Sequence, residues 1–120
     1  MMMQETTKTI DLPKMRVTES DKLREWLVCS VETDEMFPTV QNGDELNVNT
    51  RKDFKNGDIV LFYDEKNEKV IIRRIYYLNG CVAFTSDNGR YEPIICNSEQ
   101  KLNEFFYIGK VMNIGRYIKK

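Results

Sequence analysis

Three of the four Asn-Gly dipeptides, Asn42-Gly43, Asn56-Gly57 and Asn79-Gly80, divide this chain into apolar runs too short for helices. Asparagine and glycine both accept positive φ, so each pair can reverse the chain within a few residues. Between the turns, Leu46-Asn47-Val48 alternates apolar and polar as a half-buried strand does. Val70-Ile71-Ile72 carries the β-branched side chains that strands favour. Short strands recurring about every ten residues predict a mainly β domain.

In chain order, Thr18 with Asp21, or Ser20 with Leu23, offers a cap for one helical turn through Glu25. Residues 26–31 read as a buried strand, with Trp26 in the core or at an interface. A strand over 58–63, a polar loop over 64–68 and a returning strand over 69–77 form one hairpin. Asn79-Gly80 closes the next into a strand over 81–85. Pro93 limits Ile94 and Ile95 to an edge or short strand. Residues 97–103 read as a loop, and 105–114 as the last strand, with a bulge or bend at Gly109.

With 120 residues, 41% hydrophobic and 31% charged, the chain is expected to form one domain over 25–120. An extended or partly disordered arm is expected over 1–24, where Pro13 interrupts any period. The 18 basic and 19 acidic residues make no field that would draw the chain onto a phosphate backbone, and the basic run 116–120 reads as a solvated tail. Cys29, Cys81 and Cys96 stand singly in or beside apolar runs and histidine is absent, which points to buried thiols in a reducing cytoplasm. No metal, disulfide framework or cofactor is expected. The apolar run 59–63 is far short of the roughly 20 residues that cross a bilayer, and the N-terminus has no apolar signal core, so no membrane partner is expected.

The stretch Val31-x-x-Asp34-Glu35-Met36-x-Pro38-Thr39 is followed by Asn42-Gly43-Asp44, then Asn56-Gly57-Asp58-Ile59-Val60 and Ile72-Arg73-Arg74-Ile75. Further on come Ser86-Asp87-Asn88, Tyr91-Glu92-Pro93-Ile94 and Ile108-Gly109-Lys110-Val111. In this order the runs resemble the LexA, phage-repressor and signal-peptidase superfamily of serine-lysine peptidases, over roughly residues 26–116. The resemblance implies a partly open β-barrel, or folded β-ribbon, of short antiparallel strands. It also implies a cleft loop containing Asp34, Met36, Pro38 and Thr39. Where the family carries its nucleophilic serine, this chain has Glu35; where the family carries its lysine base, it has Arg73.

A serine nucleophile needs a neighbour that takes its proton, and desolvation can leave a lysine neutral enough to do so. An arginine guanidinium keeps its proton in proteins, and a carboxylate supplies no alkoxide. Together the two replacements predict a domain without catalysis, and an Arg fork facing a carboxylate predicts an ion pair, bidentate in its ideal form. The plainer alternative leaves Glu35 solvated in a loop and Arg73 exposed on a strand. No small-residue pair such as Ala-Gly precedes the loop, the one alanine being Ala83, so a self-cleavage site is also missing.

The leading expectation is therefore a catalytically inactive, stand-alone relative of the repressor C-terminal domain that acts in transcription regulation by association. Its partner would be a second copy or a full-length repressor-like protein, with no direct nucleic-acid contact and no DNA-reading domain of its own. In the family that domain dimerises partly through its C-terminal strands, here Phe105, Phe106, Tyr107, Ile108, Val111 and Ile114. One face of these would lie in the core, with the alternate face free to pair across a two-fold axis. Two alternatives stand beside it. One is a self-processing or trans-acting serine peptidase with a non-standard nucleophile. The other is a small β-barrel nucleic-acid binder stacking bases on Phe62, Tyr63, Tyr76 and Tyr77 beside Arg74.

Overall fold

The fold was obtained as a computed structural model, which describes residues 25–116. The expected arm and helical turn before Glu25, and the basic run after Arg116, lie outside the described residues. Seven strands form a single antiparallel sheet in the order β1-β2-β7-β3-β4-β5-β6. They are β1 (Trp26–Ser30), β2 (Glu45–Asn49), β3 (Ile59–Asp64), β4 (Lys69–Leu78), β5 (Cys81–Thr85), β6 (Ile94–Cys96) and β7 (Phe105–Gly115). The sheet is open, in keeping with a partly open, mainly β fold.

Each of these three Asn-Gly pairs makes its turn. Gly43, Gly57 and Gly80 have φ of 95°, 93° and 78°. Between β4 and β5, Asn79 also has positive φ at 52°, so both central residues of a two-residue hairpin are left-handed, as a type I′ turn requires. The first two turns share a further device. Asp44 and Asp58 each accept the backbone N–H three residues back, from Gln41 and Lys55, both at 2.7 Å. Each carboxylate then meets a cation of the last strand or its end: Asp44 meets Arg116 and Asp58 meets Lys110.

Strands β3 and β7 are central and supply both faces. Val60, Phe62, Phe105 and Tyr107 join Ile71, Ile75, Val82, Phe84 and Cys96 in one apolar cluster. Leu61, Tyr63, Phe106 and Ile108 join Val31, Met36, Val40, Leu46, Val48 and Ile72 in the other. In the first, Phe62 stacks on Phe84 with ring centroids 3.9 Å apart and Phe105 meets Phe62 edge-on at 5.6 Å. Such pairs add about 0.5–1.5 kcal/mol each beyond the area they bury.

The expected irregularity at Gly109 is present. The β3–β7 register shifts between Leu61, opposite Gly109, and Phe62, opposite Tyr107, and a second shift falls where β7 meets β2. A Cβ on Gly109 would lie 2.7 Å from the Asn49 carbonyl oxygen, so glycine is what lets β7 approach the end of β2.

Several expectations need correction. Among the described residues β1 is an edge strand and not a buried one: it pairs only with β2, and Trp26 and Val28 are 48% and 64% exposed. Within 97–103 there is a helical turn, α1 (Glu99–Leu102), capped by the Ser98 hydroxyl accepting the Lys101 N–H. Leu102 packs on the aromatic cluster, which gives the turn its tertiary anchor. Of the thiols, Cys96 is buried, while Cys29 and Cys81 are half-buried; all are free. No helix among the described residues is long and apolar enough to cross a membrane.

Candidate functional site

Met36 and Val40 are fully buried in the apolar cluster, and these two side chains fix the loop between them against the sheet. The loop begins at Val31, whose N–H donates to the Asp44 carbonyl at 2.9 Å and whose carbonyl accepts from Gly43 at the same distance. Phe37-Pro38 is a cis peptide, and Phe37 and Pro38 face solvent. Thr39 donates through its hydroxyl to Asp87.

Glu35 is held between these anchors and is 6% exposed. Its Oε1 accepts from Arg73 Nε at 2.8 Å, and Arg73 is likewise 6% exposed. Neither is a solvated surface charge, so the plainer alternative fails. The contact is not a two-nitrogen fork on one carboxylate. Arg73 Nη1 turns instead to the Glu92 carbonyl at 3.0 Å, and the guanidinium carbon lies 5.8 Å from the centre of the Tyr91 ring. Arg73 thus joins three segments: its own strand, the Glu35 loop and the stretch leading to β6.

The sequence alone points to no role for the residues of that stretch. Ser86 donates through Oγ to the Glu35 carbonyl, which also accepts the Asn88 N–H at 3.2 Å. Asn88 Nδ2 donates to the Asp34 carbonyl at 2.9 Å, and the Tyr91 hydroxyl donates to the Asp34 carboxylate. Asp34, by accepting that proton, raises the Tyr91 phenol above its ordinary pKa. Asp87 takes both nitrogens of an Arg74 fork, Nε at 2.8 Å and Nη2 at 3.0 Å. Arg74 holds the Asp87 carboxyl below the usual range, against the opposing effect of burial. A bidentate arginine pair does occur here, one residue along from where it was expected.

Beside the loop lies a cavity of about 360 Å³. One wall is Cys29, Ser30, Val31, Glu32 and Thr33; the other is Val70, Ile71 and Ile72, with Leu46 and Leu61 also contributing. The strand pairings explain why this gap exists. β5 pairs with β4 only from Arg74 onward, so, among the described residues, 69–73 have β3 on one side and no strand on the other. Among the described residues β1 has no strand beyond it either. Residues from both of these edges line the same cavity.

The loop over 31–40, the strand carrying Arg73 and the cavity beside them thus lie together. A family model described as Peptidase S24-like matches residues 1–112. The chain belongs to the Peptidase S24-like family. No curated protein matches it. Peptidase S24-like chains form a serine peptidase family, and the resemblance drawn from the 31–39 loop and the runs after it is to this family. Against that background the described serines stand as follows: Ser86 donates to the Glu35 carbonyl, Ser98 caps α1, and Ser30 lies at the end of β1 in the cavity wall.

The remaining candidates separate by burial. Phe105, Phe106, Tyr107 and Ile108 lie in the core on both faces of β7, so this half of the strand has no free face. Val111 packs partly against the core and Ile114 is 38% exposed. Phe62 and Tyr63 are buried and Arg74 is engaged with Asp87, so these residues form no open stacking face with Tyr76 and Tyr77. Among the described residues no cluster of three His, Cys, Asp or Glu side chains could hold a metal.

Proposed function

We propose that this domain is a catalytically inactive Peptidase S24-like module that works by holding protein. The observation that carries the reading is the Glu35–Arg73 contact at 2.8 Å, at the positions where the resemblance places nucleophile and base. A buried carboxylate–guanidinium contact offers neither an attacking hydroxyl nor a neutral amine. The groove supports the second half. Two strand edges without a described neighbour, lining one cavity with Leu46 and Leu61, suit an extended segment that adds main-chain hydrogen bonds and places apolar side chains in the cavity.

The association is proposed to serve transcription regulation, with a second copy or a full-length repressor-like chain as partner. A protein is favoured over nucleic acid because the aromatic residues named for stacking are partly in the core. For self-association the exposed end of β7 around Ile114 is the part of that strand still open.

Incubation with a serine-reactive phosphonate, read by intact mass, tests the inactive assignment. The expected result is no adduct; stoichiometric labelling of one serine would overturn it and favour a peptidase with another nucleophile. Sedimentation at micromolar concentration tests self-association, with a dimer expected and a lone monomer counting against it.

A further inference from the structure

We propose that residues 88–92 form a strap that closes over the Glu35–Arg73 pair and opens by itself, with Arg73 as the clasp. The two segments that meet at the pair are anchored very differently. The Glu35 loop places Val31, Met36 and Val40 in the core, whereas residues 88–92 contribute to neither apolar cluster. Gly89, Arg90, Tyr91 and Glu92 are exposed. At one end the strap is fixed by Asp87, which holds Arg74 and Thr39 and donates its N–H to Met36 Sδ at 3.4 Å. At the other it enters β6.

Between those ends the strap is held by polar contacts. Asn88 and Tyr91 bond to Asp34, the Asn88 N–H bonds to the Glu35 carbonyl, and Arg73 Nη1 bonds to the Glu92 carbonyl. Segments with few apolar contacts and exposed hydrogen bonds are the first to open in a native protein. Arg73 suits the clasp because one guanidinium reaches two acceptors from a fixed strand, Glu35 through Nε and Glu92 through Nη1. A lysine ammonium is a point charge on a flexible stem and would not hold both in this planar geometry.

Opening would uncover Glu35 and Arg73 together, and also the Thr33 end of the groove, next to the Asp34 carboxylate that Tyr91 holds. The strap would thereby regulate access to that end. This consequence rests on the groove being the binding site; the strap itself does not.

Carboxylate footprinting with a carbodiimide and glycine ethyl ester, mapped by peptide mass, tests the cover without any ligand. Asn88→Ala with Tyr91→Phe removes side-chain contacts of the strap and leaves Glu35 and Arg73 in place. Glu35 should be protected in the parent and labelled in this variant about tenfold faster, while the buried Asp44 stays protected in both. Equal protection of Glu35 in both proteins would overturn the strap and leave the groove reading standing. In a second arm, Arg73→Lys should speed amide hydrogen exchange over 88–92 and leave 36–40 unchanged. Exchange rising equally in both segments would overturn independent opening.

Discussion

Glu35 binds Arg73 through Nε alone, so the same guanidinium reaches the Glu92 carbonyl through Nη1. Both side chains are almost fully buried, and removing one partner strands the other. Glu35→Ala and Arg73→Ala should each cost about 3–5 kcal/mol, with Arg73→Ala the more costly because it also releases Glu92. The double variant should be less destabilised than the sum of the two by about 1–3 kcal/mol. Urea denaturation of the four proteins measures this, and additive losses would show that the contact contributes no coupling.

Acid should weaken the fold through Asp44 and Asp87. Arg116 at Asp44, and Arg74 at Asp87, hold these carboxyls below their ordinary pKa. A carboxyl whose folded pKa lies below its unfolded value of about 3.9 contributes stability above that pH and loses it as pH falls through the folded value. Thermal midpoints should therefore drop below about pH 4, and the drop should be shallower in Asp44→Asn and Asp87→Asn. Both variants should be less stable than the parent at pH 7. Parallel pH profiles for parent and variants would refute the assignment.

Gly109→Ala should destabilise by steric crowding. The new Cβ would sit 2.7 Å from both the Asn49 carbonyl oxygen and Val48 Cγ1, and 3.0 Å from Thr50 Cα. Backbone atoms of a paired strand yield little, so a loss of about 1–3 kcal/mol is expected in chemical denaturation.

The thiols should separate by reactivity. Burial raises Cys96 to about 11 and also raises Cys29. Because the thiolate is the reactive form, Cys96 should resist an aromatic disulfide reagent at pH 8 in the native protein and react only after unfolding. Rapid labelling of all three native cysteines would contradict the burial described.

Much of this fold is legible in the chain because its turns are local. Asn79-Gly80 needs no tertiary information to adopt left-handed φ, and Pro93 and Gly109 act through their own backbone. Burial is less legible. The uninterrupted apolar residues of β1 suggest a covered strand, yet their exposure depends on whether another strand lies beyond it. The four-residue α1 carries only a Ser98 cap and one useful apolar side chain, Leu102, too little for a helical period. The meeting of Glu35 and Arg73, 38 residues apart, was legible only through resemblance. Glu92 could not have been found in this way, since it enters the site through its carbonyl, which every residue has.

Residues of β3 and β7 alternate between the two apolar clusters, Phe62 and Phe105 into one, Leu61 and Phe106 into the other. Peeling either strand away would therefore dismantle both halves of the interior at once. Neither cluster has a private scaffold on which to survive. Heating should consequently produce a single calorimetric transition, with equal calorimetric and van't Hoff enthalpies, despite the extended sheet and its two separate cores.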